Sequence, residues 1–332
     1  MIRYATVGTS AITEKFIAAA ALTGRYIHSA VYSRTKEKGE EFAKRVGCSR
    51  VITDLSELAN DKSIDAVYIA SPNYYHYMQS KLLLENGKHV LCEKPVCSSA
   101  SYYRELRSIA AANGVIFMEA MPPRFAPTRK AVLEALGKIG KITSARIDYS
   151  QLSSRYPELL RGEKPNIFNM SLHAGTLMDL GVYCVAGAVD LLGVPQEIYA
   201  KASMLPVGCD GGGTAVFDYG EFLATLTYSK VGQSQLGSEI IGDRGTLKIG
   251  YVSQYANVSL VTADGEETIC GMCERAELMA GEAVSFADFI TDKTKADEYL
   301  SVCKQTYEVL RCMDKIKQSA GLRYKRLKKE CF

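Results

Sequence analysis

Through its first third the chain alternates short apolar runs with stretches in which apolar side chains recur every three or four residues. The runs are Tyr4–Val7, Ile27–Tyr32, Ala66–Ala70, His89–Cys92 and Val115–Met118, with a weaker one at Arg50–Ile52. Strands that are apolar throughout belong to parallel sheets covered on both faces. Between them, Ile12, Phe16, Ile17 and Ala20 share one helix face. Tyr77 and Leu82–Leu84 share another, which ends at Gly87 as a C-cap. This alternation predicts a doubly wound α/β domain.

After Pro127 the rhythm changes. A helix pattern covers Thr128–Leu136, a strand alternates over Thr143–Ser150, and a long helix follows at Thr176–Leu192, starting near Gly175. Strand patterns come next at Glu197–Met204, Thr214–Asp218, Phe222–Ser229, Gln235–Ile241, Thr246–Ile249 and Val258–Val261. Turn signals separate them, notably the run Asp210–Gly213, Tyr219-Gly220 and Asp264-Gly265. Two helices close the chain, at Leu278–Asp292 and Ala296–Lys317. The expectation is an α+β domain with an open, mostly antiparallel sheet and a helix on one face. A single core rarely grows to 332 residues, so two domains are expected, at 1–122 and 123–332.

Composition narrows the class. With 47% hydrophobic and 23% charged residues the chain reads as an ordinary globular protein. A net charge of +3 is too small for a nucleic-acid footprint, and the basic run Arg323–Lys329 reads as a solvated tail. No leader is visible, and no stretch approaches the ~20 apolar residues of a membrane span, so a cytoplasmic location without membrane partners is expected. The ten cysteines are scattered and read as free thiols. Cys270-Gly271-Met272-Cys273 lacks the second ligand pair a zinc site would want. It is expected to be a turn between two strands, and no metal is expected.

The first strand ends in Val7-Gly8-Thr9-Ser10-Ala11-Ile12-Thr13, at the turn into the first helix. The Rossmann dinucleotide fingerprint belongs here, in a degraded form: Ser10 replaces the second glycine and Thr13 the third small residue. Gly8 permits the tight turn, and the helix N-terminus offers N–H groups to a pyrophosphate. Gly8, Thr9, Ser10 and Ile12 are therefore candidate cofactor contacts. At the end of the second strand an NAD site usually places a carboxylate on the ribose hydroxyls. This chain has Tyr32-Ser33-Arg34-Thr35, with no carboxylate until Glu37. Arg34 can stack on adenine and fork onto a 2′-phosphate, and Ser33 and Thr35 add hydroxyl donors. NADP(H) is expected in preference to NAD(H).

Four short motifs stand in one order along the chain: Ser71-Pro72-Asn73 followed by His76, Glu93-Lys94-Pro95, Met118-Glu119-Ala120, and Asp179-Leu180-Gly181-Val182-Tyr183. Together they resemble the Gfo/Idh/MocA oxidoreductase family over essentially the whole chain. The likeness is greatest to the branch of glucose–fructose oxidoreductase and the dimeric dihydrodiol dehydrogenases. The resemblance implies cofactor contacts from Ser71, Pro72, Asn73, His76, Glu93 and Lys94. It also implies a cis Lys94–Pro95 bond that aims the lysine over the nicotinamide, and a catalytic set of Lys94, Asp179 and Tyr183. Tyr183 stands where inositol dehydrogenases have histidine, which puts inositol oxidation in doubt. His173 and Arg124 are candidate substrate contacts; a packed histidine and a structural salt bridge are their alternatives. Pairing through the open sheet face implies a homodimer or a dimer of dimers.

The chemistry is coherent without the family. Hydride transfer to a carbonyl builds negative charge on oxygen, which needs a proton donor within reach. A tyrosine, with its ordinary pKa of about 10, releases its proton more readily beside an ammonium. Lys94 with Tyr183 offers that pair, and Asp179 and Tyr183 are four apart on an expected helix, on one face. The expected reaction is hydride exchange between nicotinamide and a small carbohydrate-like substrate: a sugar, polyol or related hydroxy/carbonyl compound. The alternative is a non-enzymatic NAD(P)-binding sensor or regulator, which has no need of Lys94, Asp179 and Tyr183 together.

Overall fold

The computed structural model describes residues 1–325 and 327, so positions 326, 328 and 329 of the basic run lie outside the described residues. The first elements are β1 (Ile2–Val7), α1 (Ala11–Leu22), β2 (Tyr26–Tyr32), α2 (Lys36–Arg45), β3 (Val51–Ile52) and α3 (Leu55–Asn60). They are followed by β4 (Ala66–Ile69), α4 (Asn73–Glu85), β5 (His89–Glu93), α5 (Ala100–Ala112) and β6 (Phe117–Ala120). The six strands form one parallel sheet in the order β3-β2-β1-β4-β5-β6. Val67, Val90, Leu91 and Phe117 are fully buried in it, as strands covered on both faces require. The chain reverses its direction of travel across the sheet between β1 and β4, and in such sheets ligands bind at that switch point. The Lys94–Pro95 peptide after β5 is cis, as the resemblance implied.

The later elements are α6 (Arg129–Leu136), β7 (Ile142–Ser150), α7 (Tyr156–Leu160), α8 (Val182–Leu192), β8 (Glu197–Met204), β9 (Asp210–Asp218) and β10 (Leu223–Ser229). After them come β11 (Ser238–Gly242), β12 (Gly245–Tyr251), β13 (Ala256–Thr262), β14 (Gly265–Cys270), α9 (Arg275–Thr291) and α10 (Ala296–Ser319). Strands β7 to β14 build an eight-stranded sheet in the order β14-β13-β12-β11-β7-β10-β9-β8. Every pairing is antiparallel except β7 with β10. Helix α8 packs on β7 and β10.

Five features differ from the sequence expectation. The run Asp210–Gly213 is not a turn but the start of β9. A Cβ on Gly213 would lie 2.7 Å from the Tyr228 hydroxyl, so glycine here makes room for a neighbouring strand's ring. The helix expected from Thr176 opens with a π-helical turn, Leu177–Gly181, before α8. The regular spacing invoked for Asp179 and Tyr183 therefore holds only from Val182 onward. Cys270 ends β14, a charged and exposed strand that the apolar pattern did not reveal, and Cys273 lies in the link to α9. The pair is thus not a turn between two strands, and neither cysteine is in a disulfide. Met170–Leu192 is, by length and composition, apolar enough to cross a membrane, contrary to the expectation. Most of it is buried within the protein, as in the core segment of a globular unit.

The fifth difference concerns the domains. Contacts divide the chain into one compact unit of Met1–Met121 with Arg275–Lys304, and a second of Pro122–Glu274 with Gln305–Lys325. A single cut with everything after it in one domain does not describe this arrangement. Helix α9 returns to the first unit and packs on α1. The Tyr26 hydroxyl donates to the Ala283 carbonyl at 2.6 Å, and Arg25 pairs with Asp288. Leu278, Met279, Ala283, Phe286 and Ala287 are buried there. Periodicity shows that a helix has an apolar face but not which layer covers it.

Candidate active site

At the switch point of the parallel sheet a cleft of about 520 Å³ opens among the loops after β1, β2 and β4. Its walls include Gly8, Thr9, Ser10, Ser33, Arg34, Thr35, Ser71 and Pro72 from the expected set, and Lys38, Tyr75 and Gln79 beyond it. Gly8 has φ +114°, and a Cβ there would meet the Ala70 carbonyl oxygen at 2.6 Å. Glycine is required where β1 turns against β4. Ser10 is the N-cap of α1, and its side chain makes no capping hydrogen bond. The first N–H groups of a twelve-residue helix therefore remain available to a phosphate.

The far side of the cleft is cationic. Arg34 extends over the Tyr75 ring, 5.6 Å from its centroid, and Lys38 rises from the first turn of α2. No carboxylate is among the lining residues. Gly39 lets α2 settle on β3, since a Cβ there would lie 2.5 Å from Val51 and 3.1 Å from the Ser33 Cβ. This close approach fixes Ser33 at the rim. Lys38 was legible in the sequence, four residues after Arg34 on the next helix. Tyr75 was not, because its partner lies on a different loop. The cleft fits a dinucleotide, with a turn and helix end for pyrophosphate and a ring and cations for the adenosine end.

The remaining expected contacts lie outside the cleft lining. Ile12 is half-buried in the first turn of α1, and Asn73 begins α4. His76 is buried, with Nε2 2.7 Å from the Ser71 carbonyl and Nδ1 3.0 Å from the Pro95 carbonyl. It ties the loop after β4 to the loop that carries Lys94. Burial pulls its imidazole below the usual value, the two carbonyls oppose this, and the Lys94 charge adds to the lowering. Glu93 Oε1 accepts from the Tyr68 hydroxyl at 2.6 Å, and Oε2 from the Lys94 N–H at 3.3 Å. Burial pushes the Glu93 carboxyl up, against the Tyr68 hydrogen bond and the Lys94 charge. Behind it stands Glu282 of α9, fully buried, whose two oxygens have no hydrogen-bond partner among the described residues. Burial first, and the Glu93 charge second, drive the Glu282 carboxyl well above the carboxylate range.

Asp179 and Tyr183 lie in the second unit, on the π-turn and the first turn of α8. The turn is pinned at its start, where the buried Asp210 accepts from the Leu177 N–H at 2.7 Å and the Thr176 hydroxyl donates to the Asp210 carbonyl at 2.8 Å. Such local widening of a helix is frequent at functional sites. Asp179 forms an ion pair with Lys230, a residue the sequence reading passed over because it follows β10, far from the motif. Tyr183 is buried, with its ring edge-to-face against Tyr149 at 5.5 Å. His173 has a left-handed backbone (φ 53°) and is buried, with Nε2 2.7 Å from the Lys325 carbonyl and its ring against Tyr324. Burial lowers its pKa, the Lys325 carbonyl opposes this, and the Lys317 charge adds to the lowering. Arg124 is half-buried on a 3₁₀ turn, Pro122–Phe125, and its charge is felt by Tyr255. Among the described residues no cluster of three His, Cys, Asp or Glu side chains could hold a metal.

Residues 2–121 match the model of the oxidoreductase family with an NAD-binding Rossmann fold, and residues 130–248 match the Gfo/Idh/MocA C-terminal domain. The scyllo-inositol 2-dehydrogenase (NADP(+)) IolU of Bacillus subtilis strain 168 is 37% identical over 324 residues, which are 98% of each chain. The chain belongs to the Gfo/Idh/MocA oxidoreductase family. Another member, the uncharacterized oxidoreductase YgjR of Escherichia coli K12, is 38% identical over 93% of this chain and 94% of its own. Levoglucosan dehydrogenase, solved with NADH and levoglucosan, shares the Gfo/Idh/MocA fold at a TM-score of 0.83 and 20% identity. That match covers 96% of this chain and 97% of the other. The protein is an NAD(P)-binding oxidoreductase of the dehydrogenase type.

Proposed function

We propose that this Gfo/Idh/MocA protein is an NADP(H)-preferring dehydrogenase that interconverts a secondary alcohol and a ketone on a sugar, polyol or related compound. The observation that carries the cofactor preference is the rim of the cleft: Ser33, Arg34 and Lys38 together, without a carboxylate. Two cations and a hydroxyl complement a 2′-phosphate, whereas NAD sites place a carboxylate there. IolU carries NADP(+) in its name, which supports this; levoglucosan dehydrogenase binds NADH, so the rim and not the family is the argument. Both relatives' names concern hydroxyl-rich rings, which supports the substrate class.

The bound nicotinamide supplies or accepts the hydride. Gly8, Thr9, Ser10 and the α1 N-terminus would hold the pyrophosphate of a bound dinucleotide, with Ser71 and Pro72 on the same cleft wall. Lys94 stabilises charge on the reacting oxygen, Tyr183 gives or takes its proton, and Asp179 accepts a hydrogen bond from a substrate hydroxyl. His76 and Glu93 act at one remove, by fixing the loop of Lys94.

The test is turnover of NADP⁺ and NAD⁺ with inositols, aldoses, ketoses, anhydrosugars and dihydrodiols. The reading expects oxidation of at least one polyol or sugar, with kcat/KM higher for NADP⁺. Tight NADPH binding with no turnover of any compound would favour the sensor alternative. Equal kcat/KM for both cofactors would overturn the preference.

A further inference from the structure

Lys230 is the least expected charge in the second unit. Its side chain is 3% exposed, while that of its partner Asp179 is 40% exposed. An ammonium buried alone costs several kcal/mol, so a lysine held this deep needs partners that replace its lost water. It has three. Asp179 Oδ2 forms the direct ion pair, the Phe168 ring lies 5.7 Å from Nζ, and the buried Asp210 carboxylate feels the same charge.

Its backbone is fixed as firmly. The Lys230 N–H donates to the Gly211 carbonyl at 2.9 Å, and its carbonyl accepts from the Ser153 N–H at 2.9 Å. Asp210 in turn anchors the π-turn that carries Asp179, through the Leu177 N–H. One lysine therefore joins a fully buried carboxylate, which belongs to the scaffold, to a half-exposed one.

We propose that Lys230 is a positioning residue for the reaction: its ion pair on Oδ2 holds the Asp179 carboxylate in one orientation for the substrate. The proposal rests on the reading that Asp179 lies in the active site. It adds that the carboxylate's orientation is set from beneath by a cation that does not itself touch substrate.

The test uses the full-length protein, NADP⁺ and the polyol or sugar turned over in the panel above. Asp179→Asn, Lys230→Met, Lys230→Arg and the Asp179→Asn/Lys230→Met double variant are compared. Lys230→Met is expected to lower kcat/KM for the alcohol by about 10- to 100-fold, the loss typical of one charge-assisted contact. Its NADPH dissociation constant should stay within about twofold, since Lys230 is not among the residues lining the cleft. Lys230→Arg, which keeps the charge, should recover part of the loss. The double variant should lose no more than Asp179→Asn alone, because the two residues act as one unit. Unchanged kcat/KM in Lys230→Met beside a crippled Asp179→Asn, or additive losses, would overturn the proposal. Unchanged kcat/KM in Asp179→Asn would instead overturn the underlying reading of the site. If Lys230→Met fails to fold, Lys230→Gln, which keeps the hydrogen-bonding capacity without the charge, takes its place with the same readouts.

Discussion

The proposed cofactor preference can be worked out residue by residue along the lining of the cleft. Arg34 has two tasks. Its guanidinium lies 5.6 Å from the Tyr75 ring centroid, where an adenine would share the cation–π contact, and on the proposed reading its N–H groups would take a 2′-phosphate. The stacking term is common to NADPH and NADH and is worth about 0.5–1 kcal/mol at an exposed site. The phosphate term exists only for NADPH. A charge-assisted hydrogen bond contributes about 1.5–3 kcal/mol, and both cations are solvent-exposed, so the lower end applies. Arg34→Ala should then weaken NADPH by about 2–2.5 kcal/mol, roughly 30- to 70-fold, and NADH only about two- to fivefold. Lys38→Ala should weaken NADPH by about tenfold and leave NADH unchanged. Isothermal titration calorimetry at two salt concentrations measures both dissociation constants. The NADPH advantage should shrink as the salt screens the phosphate. Equal loss for the two cofactors in Arg34→Ala would show that the arginine only stacks. Equal affinity in the unmutated protein would refute the reasoning altogether.

Tyr183→Phe removes one hydroxyl and keeps the ring against Tyr149, so kcat should fall by about 10²–10⁴ with NADPH affinity unchanged. Near-full kcat with a primary isotope effect from deuterated NADPH would place the acid elsewhere. Glu282→Gln tests the buried carboxyl behind Glu93. Its folded pKa is raised above the unfolded value, so above about pH 4.5 the unfolded state releases the proton first and the native state loses stability as pH rises. The glutamine variant should therefore gain on the unmutated protein by about 1.4 kcal/mol per pH unit between the two pKa values, as followed by chemical denaturation from pH 4 to 7. Glu93, raised by the same burial, keeps part of the slope in both proteins; a gain independent of pH would contradict the assignment. The outer face of the eight-stranded sheet carries Tyr199, Leu223 and Ile241 exposed among threonines and charges. Pairing through that face predicts a dimer or tetramer by sedimentation velocity at micromolar concentration, and a monomer would count against it.

What the sequence determined is what depends on near neighbours. Apolar runs specified the parallel strands because a strand buried on both faces can hold little else. Gly8 marked the phosphate turn because only glycine takes that backbone so close to Ala70. The absence of a carboxylate after Tyr32 was legible for the same reason: the ribose end is read by one short loop and the helix after it. Tertiary structure decided whatever joins distant positions. Glycines 211–213 looked like a turn, because a sequence does not show that Tyr228 of the next strand needs the space at Gly212 and Gly213, and Leu205 the space at Gly211. Helix α9 looked like part of the second domain, because an amphipathic face does not name the layer that covers it. The π-turn at Leu177–Gly181 depends on Asp210 gripping the Leu177 N–H from across the sheet. Glu282 behind Glu93 and Lys230 beneath Asp179 are single charged residues without motif or spacing. Only burial, which removes water as the alternative partner, made the particular neighbours of each decisive.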